Sequence, residues 1–116
     1  MVFMVESVAG LDNIVLPFLD VAEAKRFFVD GLGLSVISEL EDSVFLRLGT
    51  QTLVLIPSAD SVPHVIVLGV LVNDFTSIIH QLNQLGFVTH SQTLIYGPEG
   101  LKVHLVPGPK AVKKRV

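Results

Sequence analysis

The sequence predicts an α+β domain in which one β-α-β-β-β unit occurs twice. Three observations carry that prediction. The apolar run "LDNIVLPFLD" (11–20) ends at an aspartate that opens a helical pattern, and "VIVLGVLVND" (65–74) does the same. Each helical pattern stops at glycine, Gly31 and Gly33 in the first unit and Gly86 in the second. Each unit then closes on an apolar strand before a proline, "TLVLIP" and "KVHLVP".

In chain order, residues 11–18 form the first expected strand. Asp20 is placed to cap the following helix, and Glu23 completes a capping box. Val21, Ala24, Phe27 and Phe28 recur at helical spacing. Strands are expected at about 34–40, 43–48 and 52–56, separated by the turn sequences "EDS" and "GTQ". In the second unit a strand covers 65–72, Asp74 is the cap, and Phe75, Ile78, Leu82 and Leu85 line one helical face. Strands near 87–91, 93–96 and 101–106 follow, with "GPEG" before the last. The whole chain, 1–116, is expected to be one domain. Its first module covers about 11–57, "PSADSVP" (57–63) links, the second module covers about 64–107, and a basic tail covers 108–116.

Composition narrows the function classes. Half of the 116 residues are apolar and 16% are charged, yet no apolar run approaches the roughly 20 residues that span a bilayer. The apolar surplus is therefore assigned to a core, a cavity or a subunit contact, and a homodimer is expected. The start, "MVFMVES", has no basic segment and carries Glu6, unlike a secretory leader. With no cysteine, disulfide and thiol chemistry are ruled out, and a cytoplasmic location is expected. A net charge of −3 argues against a nucleic-acid partner, and the tail "KAVKKRV" reads as a solvated end.

A helix covers one face of each small sheet, and two such sheets can curve around a shared trough. Successive strand residues point to opposite faces. Ile14, Leu16 and Phe18 are the bulky set that packs under the helix, so Asn13, Val15 and Pro17 face the trough. The same counting aims Lys102, His104 and Val106 inward, with Thr52, Val54 and Ile56, with Val67, Gly69 and Leu71, and with Phe45 and Arg47. Tyr96 is a further neighbour.

"LDNIVLPFLDVAEAKRFFVDGLGL", "VLGVLVNDFTSIIHQLNQLGF" and "YGPEGLKVHLV" occur in that order over residues 11–107. Together they resemble the vicinal oxygen chelate superfamily, the group of glyoxalases, bleomycin-resistance proteins and extradiol dioxygenases. The resemblance implies paired βαβββ modules around a cupped sheet, and dimers that complete their clefts. Metal-using members hold their ion through the first and last strand of each module, which falls here on Asn13, Val54, Val67 and His104. Two valines cannot coordinate an ion, and divalent catalysis needs about three protein donors. No metal and no cofactor are therefore expected.

The expected ligand site comprises Asn13, Phe45, Arg47, Val54, Val67, Tyr96 and His104. His104 reads either as a strand histidine bonded to a neighbour or as a polar anchor facing Asn13. Arg47 reads either as a solvated residue on an open sheet face or as a clamp for a carboxylate. His64 is aimed at the wrong face, His80 and His90 have no assigned role, and Glu39, Glu41 and Asp42 form a solvated acidic edge. No nucleophile triad or phosphate loop is recognisable. The favoured function is metal-free binding of a small, partly apolar molecule. The alternatives are a superfamily enzyme with a non-standard site (a lyase, isomerase or dioxygenase) and a dimeric structural or regulatory module.

Overall fold

In the computed structural model, which describes residues 7–60, 64–91 and 93–108, the duplication appears as two mixed sheets. The first has β1 (Asn13–Phe18), β2 (Ser35–Leu40), β3 (Ser43–Leu48) and β4 (Gln51–Pro57), in the order β1-β4-β3-β2. The second has β5 (Val67–Val72), β6 (Leu94–Tyr96) and β7 (Lys102–Pro107), in the order β5-β7-β6. In each, the opening strand runs parallel to the closing one, which pairs antiparallel with its other neighbour. The start of the chain, the end of the linker and the tail from residue 109 lie outside the described residues.

The helices begin where their caps dictate. Helix α1 (Val21–Lys25) starts at Asp20, whose carboxylate accepts the Glu23 N–H at 3.0 Å. It widens into a π turn over Arg26–Gly31, closed by Leu32 N–H on the Phe27 carbonyl. Helix α2 (Phe75–Gln84) starts at Asp74, which accepts the backbone N–H and the hydroxyl of Ser77. It stops at Gly86, whose φ of +89° suits glycine.

One expected strand is missing. Residues 87–91 form no ladder and contribute a single bridge, Thr89 to Ile95. Two local interactions divert them. The Phe87 ring turns into the core against Phe27, with centroids 5.0 Å apart. The Ser91 hydroxyl takes the N–H groups of Thr93 and Leu94 and closes a tight turn. The second sheet therefore has three strands.

The core lies between the sheets and the helices. Leu16, Phe18, Leu46, Leu53 and Leu55 of the first sheet and Val103 and Leu105 of the second are almost fully buried. They join Phe27, Phe28 and Leu82 from the helices in one cluster. The helices touch through Gly31, where an added Cβ would sit 2.6 Å from the Leu82 side chain. Arg26 crosses the same contact. It pairs with Glu23, lies over the Phe87 ring and donates to the Leu85 carbonyl at the end of α2.

A second clasp ties the modules at the other end of β1. The Glu99 carboxylate accepts the N–H groups of Leu19 and Asp20 at 2.9 and 3.1 Å. The His64 N–H donates to the Glu99 carbonyl, and its ring Nε2 donates to the Pro17 carbonyl at 2.8 Å. That ring also lies 4.6 Å from Phe18. His64 is thus aimed away from the open side, as expected, and its place is structural.

Three outcomes follow for stability. Gly31→Ala forces a methyl group against a buried leucine and should lower the unfolding free energy by roughly 1–3 kcal/mol in urea denaturation. Glu99→Ala strands two backbone donors and should cost about 1–3 kcal/mol, with Glu99→Gln in between because an amide oxygen restores one acceptor. The Ser77 N–H and hydroxyl hold the Asp74 carboxyl below the ordinary aspartate range. A lowered folded-state value makes this contribution complete above that range and lost as pH falls through the lowered value. Thermal melts of Asp74→Asn, which keeps the cap but not the charge, should therefore show a shallower loss of stability in acid than the parent.

Candidate functional site

The pleat separates each sheet into a buried face and an open one. Along β1, Ile14, Leu16 and Phe18 turn to the helices, whereas Asn13 and Val15 are exposed. Along β5, Leu68, Val70 and Val72 are buried, whereas Val67 and Leu71 are 53% and 68% exposed. The closing strand β7 alternates in the same way, with Lys102 and His104 exposed and Val103 and Leu105 buried.

Register aligns the open faces residue by residue. In the first sheet, Asn13 pairs with Thr52 and Thr52 with Arg47, which itself pairs with Ser35. The next open-face row is Val15, Val54 and Phe45. In the second sheet the equivalent rows are Val67, Lys102 and Tyr96, then Gly69, His104 and Leu94. Each module thus presents one row containing a cation and, one pleat repeat further, a second row. In the first module that second row is apolar across β1, β4 and β3 and ends at Ser38 of β2, and in the second it carries the imidazole.

The seven residues expected at a ligand site all stand on these rows, three of them in the second sheet and four in the first. Asn13 and His104 lie in different sheets, each on the face turned from the helices. Asn13 donates its amide N–H to the neighbouring Asp12 carboxylate at 3.0 Å. Val54 is only 8% exposed and floors its row between Val15 and Phe45. Tyr96 has a ring neighbour in His90, with centroids 5.6 Å apart.

These rows are open shelves rather than an enclosed cleft in the single chain. Two surface cavities stand out, of about 350 and 630 Å³. Arg47 alone of the seven residues borders either one. It edges the smaller, which lies between the start of β2, the end of β5 and the start of α2.

The donor set does not fit a metal ion. Of the four positions that the sequence resemblance assigns to an ion, Asn13 and Val54 stand in the first sheet and Val67 and His104 in the second, and a single imidazole among them is a good donor. Among the described residues no group of three or more His, Asp or Glu side chains converges.

Charge is distributed unevenly between the faces. Glu39 is the one acidic residue within the seven strands. It sits opposite the buried Val44 on the helix side and pairs with Lys25 of α1 at 2.9 Å. Glu39 is exposed and borders one surface cavity with Glu41 and Asp42, and α1 supplies a cation beside this edge. Glu41 and Asp42 form an exposed turn, both at positive φ. Sequence reasoning left Thr52 and Lys102 out of the site, although strand parity aimed both inward. The register that puts them in rows with Arg47 and Tyr96 was the missing information.

No family model matches the sequence, and no curated protein matches it closely. Solved structures do. The chain is similar to the fosfomycin resistance protein FosX from Mesorhizobium loti, at 12% identity over 87% of this chain and 93% of that one, with a TM-score of 0.72. It is similar to a lactoylglutathione lyase from Agrobacterium tumefaciens, at 16% identity over 84% and 92%, with a TM-score of 0.65. It is also similar to TnmS3, an antibiotic-binding protein from a Streptomyces species, at 14% identity over 89% and 98%, with a TM-score of 0.66. Two βαβ-based modules in one register, a helix behind each and likeness to these structures over most of their length give the chain the fold of the vicinal oxygen chelate superfamily.

Proposed function

We propose that the protein binds a small, partly apolar molecule on the open faces of its sheets, as a metal-free protein of the bleomycin-resistance kind. The observation that carries this reading is the pair of matched rows. Polar side chains (Asn13, Arg47, Tyr96 and His104) stand beside an apolar floor of Val15, Val54, Phe45 and Val67. A few placed polar groups on an apolar surface are the usual make-up of a ligand site. The fold shared with an antibiotic-binding protein supports the same reading.

The reading includes a second copy of the chain. Val15, Val67 and Leu71 are half to two-thirds exposed on these faces, and a homodimer would cover them and wall the shelves into a cleft. The protein is taken as a single cytoplasmic domain with modules at about 11–57 and 64–107. Among the described residues no helix is long and apolar enough to cross a membrane.

Light scattering should return the mass of two chains, and Leu71→Glu should give one chain with an unchanged far-ultraviolet spectrum. A monomeric parent would remove the dimer from the reading. Binding is read by amide and side-chain NMR shifts during titration with a panel of small aromatic and aliphatic compounds. Shifts centred on Asn13, Val54 and His104 are expected, and shifts confined to the cavity beside α2 would overturn the site.

A further inference from the structure

The geometry points to an amphipathic anion as the ligand, with its oxyanion on the Arg47 row and its apolar body along Val15, Val54 and Phe45. This rests on the binding reading above and adds the ligand's charge and direction to it.

The first support is the sorting of charge. The chain carries a net charge of −3, so an unbiased surface would show more carboxylates than cations. The strands do the opposite on their open faces. Arg47 and Lys102 both point there, and the only strand carboxylate, Glu39, is on the other face with its charge met by Lys25. A bound cation would find no carboxylate partner on any open-face strand position. A bound oxyanion would find one cation in each module.

The second support is the state of Arg47. Among the described residues its guanidinium has no ion pair and no hydrogen bond. Its neighbours on the row are Thr52 and Ser35, both hydroxyl side chains, with Asn13 beyond Thr52. A planar fork flanked by neutral donors suits carboxylate or phosphonate oxygens, which take two parallel N–H bonds from arginine. Asp12 is the nearest carboxylate in sequence to this row. It stands at the β1 end, two strands from Arg47, and already accepts the Asn13 amide. Asp74, at the start of α2, borders the same cavity as Arg47, but its carboxylate already accepts the Ser77 N–H and hydroxyl and makes no ion pair with Arg47. Of the two ends of the row, β3 is the one that carries a cation.

The third support is polarity along the strand direction. One pleat repeat, about 7 Å, separates the Arg47 row from Val15, Val54 and Phe45, the apolar stretch of a row that ends at Ser38. A ligand with a charged head and an apolar body of a few carbons matches that step.

The test uses a matched series on one apolar body: 4-phenylbutyrate, 3-phenylpropylphosphonate, 4-phenylbutan-1-ol and 4-phenylbutylamine. Each is titrated into the full chain by calorimetry and NMR. The two anions should bind at least about tenfold more tightly than the alcohol, with the amine weakest, and their relative affinities distinguish carboxylate from phosphonate. Arg47→Gln, at an exposed position, should reduce both anions to the level of the alcohol. An alcohol or amine that binds as tightly as the anions, or anion binding indifferent to Arg47→Gln, overturns the inference while leaving the open-face site intact. Absence of open-face shifts with every member of the series overturns the binding reading itself and this inference with it.

Discussion

The structure depends on one constraint: each sheet has a single helix-bearing face, and the two-residue pleat of a strand assigns every side chain to that face or the other. Leu16, Phe18, Leu53, Leu55, Val103 and Leu105 are committed to the core beneath the helices. Burying them fixes the register, since a slip by one residue would expose the whole set. Asn13, Arg47, Lys102 and His104 are then obliged to face away. The composition of the open faces is thus a by-product of core packing, and the chemistry available there is whatever those alternate positions carry.

A second requirement is that two modules hold one relation to each other. No strand ladder joins the two sheets among the described residues. Their relation is set by the shared core, in which Phe27 and Phe28 join Leu82, Val103 and Leu105, and by side chains at two further places. The helix contact at Gly31 and Leu82 is extended by Arg26 on the end of α2. The other place is the grip of Glu99 and His64 on residues 17–20. Both use backbone groups that strand and helix ends leave without partners. Fixing the corner after β1 also fixes Asp20, the cap of α1, so the inter-module contact and the start of the first helix are one arrangement.

Much of this was legible in the residues. Asp20 and Asp74 announced the helix starts, because a short carboxylate before an apolar helical stripe has few other uses. Period-two alternation in "NIVLPF" and "KVHLVP" gave the faces without coordinates. The strand expected at 87–91 failed because an apolar residue before a polar stretch reads the same whether it pairs in a sheet or, like Phe87, plugs a core. Glu99 and His64 were illegible for a different reason. Their partners lie about 80 and about 47 residues away in sequence, and no local pattern encodes a carboxylate meeting a distant backbone N–H. The rows of the site needed register as well as parity. Counting alternate residues placed Arg47 and Thr52 on a face, but only the ladder made them neighbours.

The bulge in β2 has a consequence of its own. This edge strand is exposed along its full length, with Val36, Ile37 and Leu40 open to solvent. Such a strand is a template on which other chains could stack into fibres. Between Val36 and Ser38 the pairing shifts, leaving Ile37 without a partner in the ladder. The kink interrupts the flat row of free amides and carbonyls that intermolecular stacking needs. Straightening it, by deleting Ile37, would trade a soluble border for a sticky one.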